Sequence, residues 1–93
     1  MLNLSWNHLR LKGAIEIGRG LAHNLTLVHL DLSWNGFGND GAKAIADALK
    51  INNTLESLDL TNNRINAIGA GNLAKALAVN ETLQVLRVGC FCQ

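Results

Sequence analysis

Leu30-Asp31-Leu32-Ser33-Trp34-Asn35 is the stretch that decides the architecture of this chain. Its Leu-x-Leu-x-x-Asn pattern returns as Leu58, Leu60 and Asn63, and it stands one period earlier as Leu2, Leu4 and Asn7. The offset is 28 residues each time, so the 17 leucines and 12 asparagines form a register rather than a scatter. Self-similarity at such a period marks a chain built from stacked supersecondary units.

Working outward, Leu27, Leu55 and Leu83 open each strand segment. Leu2, Leu30, Leu58 and Leu86 follow, and Leu4, Leu32, Leu60 and Val88 come two residues later, so both sets point to one side of a strand. Leu9, Phe37 and Ile65 supply an apolar residue after the turn. The second half of each unit reads as a helix. Gly13, Gly41 and Gly69 are expected to mark its start, with Asn39 or Asp40 as a cap in the second unit. Ala42, Ile45, Ala46 and Leu49 then fall at i, i+3, i+4 and i+7, one helix face. The equivalents are Ala14, Ile17, Gly18 and Leu21 in the first unit and Ala70, Leu73, Ala74 and Leu77 in the third. Each helix ends in Asn-x-Thr-Leu.

A helix between successive strands makes those strands parallel. Strands stack about 4.8 Å apart, while packed helices need about 8–10 Å. Only a curved stack satisfies both distances. The expected fold class is therefore α/β: a right-handed α/β solenoid, a horseshoe arc with parallel strands on the concave side and helices on the convex side. Asn7, Asn35 and Asn63 would form a structural ladder where each strand turns inward, each amide bonding its own loop and the next repeat. Phe91 replaces the asparagine in the fourth unit, so the ladder stops there.

These features resemble the leucine-rich repeat family, and the Asn-x-Thr-Leu connection with a full helix resembles its ribonuclease-inhibitor-like subclass. The resemblance covers residues 1–93 as a single segment, about three repeats plus a terminal strand. It implies a non-catalytic protein-protein interaction module. Two alternatives come with it: structural spacer repeats of a larger scaffold or innate immune sensor, or a regulator of a small GTPase. Neither end carries a polar capping unit, so the expectation is a stretch of a longer array, or self-association through uncapped ends.

Composition narrows the classes further. Net charge is +1 with no basic or acidic run, which argues against nucleic acid and anionic membrane as partners. Apolar stretches are far short of a membrane span, and Met1-Leu-Asn-Leu-Ser-Trp-Asn has no signal-peptide character. The two cysteines, Cys90 and Cys92, make no disulfide framework, which fits a reducing, cytoplasmic setting.

Several apparent motifs dissolve in the register. Gly36-Phe-Gly-Asn-Asp-Gly41 matches G-x-G-x-x-G, with Asp59 near a ribose-binding position. The repeat already demands Gly41 and an apolar residue at 37, leaving only Gly36 and Gly38 unexplained. Asp31-x-Ser-x-Asn35-Gly36 imitates half a calcium loop, but the twelfth position is Ala42. The sequons at Asn24, Asn52 and Asn80 share one repeat position, and Thr26, Thr54 and Thr82 are expected to bond backbone there. Cys90-Phe-Cys92 lacks the second ligand pair of a zinc site. Ser5, Ser33 and Thr61 share one column, reading as surface positions of a sheet rather than a triad. No enzyme activity, metal or cofactor is expected.

What remains is the set of strand positions the register does not dictate. Trp6 and Trp34 share a column that Asn62 fills in the third unit. With His29, Asp31, Asp59, Arg64 and Arg87 on neighbouring columns, they have the composition of an interface hot spot for a protein partner on the concave face. Stacking of the two indoles for packing alone is the competing reading.

Overall fold

The computed structural model describes residues 1–89; the expectations for Cys90, Phe91 and Cys92 lie outside the described residues. The elements alternate: β1 (Leu2–Asn3), α1 (Arg10–His23), β2 (His29–Asp31), α2 (Gly38–Leu49), β3 (Ser57–Asp59), α3 (Ala67–Val79) and β4 (Val85–Arg87). The four strands form one parallel sheet in the order β1-β2-β3-β4. Leu2 pairs with Leu30, Leu30 with Leu58 and Leu58 with Leu86, so the Leu-x-Leu register and the strand register coincide. The strands are shorter than Leu27, Leu55 and Leu83 suggested. Backbone bonds extend the pairing past them, from Leu4 N to Asp31 O, Leu32 N to Asp59 O and Leu60 N to Arg87 O.

The core lies between sheet and helices. Leu32, Leu58, Leu60, Ile45, Leu49 and Leu55 are fully buried. Each contributes roughly 1.5–3 kcal/mol by leaving water. All four residues of the expected α2 face are buried, because α2 has a helix on either side. In α3 the pattern slips: Leu73 and Ala76 are buried while Ala74 and Leu77 are exposed. Among the helices of the described residues, α3 has α2 alone as a neighbour.

The helix starts differ from the sequence expectation. Helices begin at Arg10, Gly38 and Ala67, so Gly13, Gly41 and Gly69 lie inside the first turn. Asn39 does not cap its own helix, whose N-cap Phe37 has no side-chain bond. Its Oδ1 instead accepts from Asn66 N and Gly69 N at 3.0 Å each, and its Nδ2 donates to Asn66 Oδ1 at 2.9 Å. Asn66 Oδ1 accepts from Ile68 N. The cap of α3 is thus supplied jointly by two repeats, a pairing that periodicity within one repeat does not show. Gly69 is required for it: an added Cβ would lie 2.6 Å from Asn39 Oδ1 and 2.7 Å from Ile65 Cγ2. Gly69→Ala is expected to destabilise by about 1–3 kcal/mol, despite alanine's better helix propensity, and a urea titration reads this as a lower midpoint.

The asparagine ladder exists with its direction reversed. Asn35 Nδ2 donates to Leu32 O and Ser33 O of its own loop, and to Leu4 O of the preceding repeat at 2.9 Å. Its Oδ1 accepts from Asn7 N at 2.9 Å and Leu9 N at 3.4 Å. Asn63 repeats this on Leu32 O, Asn35 N and Phe37 N. Each amide reaches back to the previous repeat, because the turn of the earlier unit leaves its N–H groups facing that way.

A second ladder holds the helix-to-strand turns. Asn52, 3 % exposed, donates from Nδ2 to Leu21 O and Asn24 O and accepts from Thr54 N and Leu55 N. Asn80 does the same with Leu49 O, Asn52 O, Thr82 N and Leu83 N. The threonines contribute less than expected. Only Thr54 bonds backbone, at Asn24 O and Leu27 O, while the hydroxyls of Thr26 and Thr82 lie against asparagine Oδ1 atoms.

Candidate functional site

The residues singled out from the sequence fall into two neighbouring groups. On the open face of the sheet, His29, Asp31, Asp59 and Arg87 line a depression of about 350 Å³ together with Met1, Leu30 and Ser57. Strand register sets them side by side: Asp31 is opposite Asp59, and Asp59 opposite Arg87. Each aspartate also closes a strand end. Asp31 Oδ1 accepts from Ser33 N at 2.9 Å and Ser33 Oγ at 2.7 Å, and Asp59 Oδ1 accepts from Thr61 N at 2.9 Å. That local turn explains why the column is polar. Ser33 is buried at 8 %, not a surface residue, and its hydroxyl donates to Asp31.

The second group stands beyond the strands, on the loops that lead into the helices. Trp6 and Trp34 stack with ring centroids 4.2 Å apart and planes 9° from parallel, and remain 60 % and 42 % exposed. Their backbones are left-handed, with φ of 62° and 60°; Asn62, next in the column, has φ 59°. Asparagine visits this region readily, whereas a bulky residue there costs about 1–2 kcal/mol. An aromatic pair contributes about 0.5–1.5 kcal/mol beyond its area. The stack therefore offsets at most part of the strain of its two members. Packing alone does not account for tryptophan at these positions, and strain of this kind gathers at functional sites.

Left-handed backbone continues along the same loops. His8 (φ 51°), Arg10 (φ 55°) and Arg64 (φ 61°) adopt it, where the second repeat has Gly36 (φ 67°) and Gly38 (φ 68°). Those two glycines, the unexplained part of the G-x-G-x-x-G match, are the unstrained solution to a turn the first repeat makes with His8 and Arg10; the third keeps it at Arg64 only, since Asn66, in the column of Gly38, is extended with φ -109°. The periodic leucine pattern carries no sign of this turn. The alternation of Gly36 and Gly38, opposite His8 and Arg10, was the signal available in the sequence.

The loops are rigidly spaced. Trp6 N donates to Ser33 O, Trp34 N to Thr61 O, Arg10 N to Asn35 O and Gly38 N to Asn63 O, at 2.7–3.0 Å. Among the described residues no group of three or more His, Cys, Asp and Glu side chains is arranged to hold a metal. No helix among them is long and apolar enough to cross a membrane.

A family model described as Leucine Rich repeat matches residues 2–18, 23–46 and 52–74. These matches cover more than half of the chain, and with the parallel four-stranded sheet and three helices they define an α/β repeat protein. The chain belongs to the leucine-rich repeat family. Domains of this family generally mediate protein–protein interaction and are generally non-enzymatic. No curated protein matches the chain closely enough to count as a relative.

Proposed function

We propose that this chain is a protein-binding segment of a right-handed horseshoe array of the ribonuclease-inhibitor-like subclass. A protein partner lies along the concave strand face and its loop edge. Trp6 and Trp34 anchor it, with His29, Asp31, Asp59, Asn62, Arg64 and Arg87 around them. The observation that carries this reading is the exposed indole stack held in left-handed backbone. A rigid, preformed aromatic surface loses little entropy on binding, and tryptophan is enriched among residues that dominate interface energies.

That the segment belongs to a longer array is part of the same proposal. Its support is α3, which exposes Ile68, Leu77 and Val79 on one short helix, the kind of surface a neighbouring repeat covers. A cytoplasmic setting accords with the sequons, since Asn52 and Asn80 use their amide nitrogens within the fold.

The fold-compatible test is the double substitution Trp6→Asn and Trp34→Asn, which places in both repeats the residue that the third already has. Proteins captured from cell extract by the immobilised chain are expected to lose roughly 30-fold in affinity, the equivalent of one hot spot of about 2 kcal/mol. The melting temperature should stay level or rise, because strain is relieved. Undiminished capture by the double variant refutes the role given to this face.

A further inference from the structure

The loop edge beside the indole stack carries positive charge that the fold does not use. Arg10 and Lys12 occupy the first turn of α1, which contains no acidic residue. The N-terminal end of a helix is the end at which cations are disfavoured. Arg64 stands two repeats away on the same edge, and His8 lies in its column. All four are exposed. The ion pairs among the described residues are Glu16–Arg19, Lys43–Asp47 and Asp47–Lys50, so none involves Arg10, Lys12 or Arg64.

Two of these cations, with His8, also hold left-handed backbone at positions the second repeat fills with glycine. The Arg10 side chain lies over the turn of the second repeat: a Cβ added at Gly36 would be in ordinary contact with Arg10 Cγ, at 3.7 Å. Arg10 is thus directed across the second repeat, on the side where the third carries Arg64. Wrong-end charge, strained backbone and absent acid partners each cost stability locally. All three coincide beside Trp6 and Trp34.

We infer that this edge is the docking site for an acidic segment of a partner protein, whose carboxylates meet Arg10, Lys12 and Arg64 while an apolar or aromatic side chain lies against the indole stack. The inference rests on the protein-binding reading and names the chemistry of the partner. Guanidinium groups match carboxylates in a bidentate fork, and the positive ends of the helices add to the attraction. A nucleic acid strand suits the edge less well. It would bring a continuous line of phosphates, whereas the edge offers only three permanent cations.

Fluorescence anisotropy on the whole chain tests this with three labelled probes: a short peptide alternating Glu with Phe, the same peptide with Lys in place of each Glu, and an oligouridylate. The Glu–Phe peptide should bind about tenfold or more tightly than its lysine counterpart and weaken as NaCl is raised. The double substitution Arg10→Gly and Arg64→Gly should cost roughly tenfold in affinity for it, with an unchanged or higher melting temperature, since glycine relieves the left-handed strain. Arg10→Lys with Arg64→Lys, which keeps the charge but loses the fork, should bind less tightly than the native chain and more tightly than the glycine variant. Preference for the lysine peptide or the oligouridylate, no binding of the Glu–Phe peptide, or full affinity in the glycine variant would each overturn the inference. Partner capture abolished by the tryptophan substitutions but untouched by the arginine ones would remove the acidic-segment assignment and leave the binding face standing. Capture that survives both sets removes the binding face itself.

Discussion

Replacing Asn35 with alanine is expected to lower the melting temperature by roughly 15 °C. The side chain is fully buried and sits at the crossing of two repeats. Its loss does not orphan the carbonyls it bonds. Leu4 O retains Asn7 Nδ2, Leu32 O retains Asn63 Nδ2 and Ser33 O retains Trp6 N. The N–H groups of Asn7 and Leu9 are the ones left without their acceptor. Stranding such donors costs about 1–3 kcal/mol each. A total of about 3 kcal/mol follows, a large share of the roughly 5–14 kcal/mol a chain of this size holds. Asn7→Ala provides the internal contrast. That side chain is exposed and bonds only Leu4 O and Ser5 O in its own loop, so the loss should stay under about 1 kcal/mol. Asn35→Asp separates the two halves of the amide, keeping the acceptor and replacing the donors with charge; it should destabilise at least as strongly as alanine. Thermal denaturation of the three variants checks the set, and equal melting temperatures for the Asn7 and Asn35 variants would show that the ladder is not what holds the repeats together.

Leu58→Ala is expected to cost about 3–5 kcal/mol. Leu58 is fully buried at the middle of the sheet, flanked in register by Leu30 on β2 and Leu86 on β4. Strands on both sides and helices behind leave little freedom to collapse into the cavity, which puts the cost toward the upper part of the range. Leu86 holds the same repeat position but is only half-buried, so Leu86→Ala should cost about half as much. Chemical denaturation with both variants reads the difference as a shift in midpoint at constant slope. Equal shifts would mean that burial in the sheet centre is not what sets the cost.

The lines of the fold that follow a strict period were legible in the residues. Leu30, Leu58 and Leu86 announce the strand register, and Ala42, Ile45, Ala46 and Leu49 announce a helix face that is buried throughout. Periodicity carries these because one residue type at one spacing answers one physical demand, burial of an apolar stripe. Where neighbouring repeats share a task, the spacing within a repeat misleads. Asn39 reads as a cap for α2 and instead caps α3 with Asn66, and the Asn35 amide bonds backward rather than forward. Asn52 and Asn80 read as sequons with a turn threonine and are themselves the turn's hydrogen-bonding centres.

The candidate site was half legible in the same sense. Trp6 and Trp34 stood out because the repeat leaves their column free, and Asp31, Asp59 and Arg87 because strand alternation turns them away from the core. Sequence alone determined that this chain is a stack of leucine-rich units, with tryptophan where the pattern requires nothing. Only the tertiary structure decided that the indoles stack, that their backbone is left-handed, and that His8, Arg10 and Arg64 share that strain. The reason is physical: a repeat period reports which side chains must be buried, while the φ angle of a turn is set by how each unit hydrogen-bonds to the next, and no single repeat contains that information.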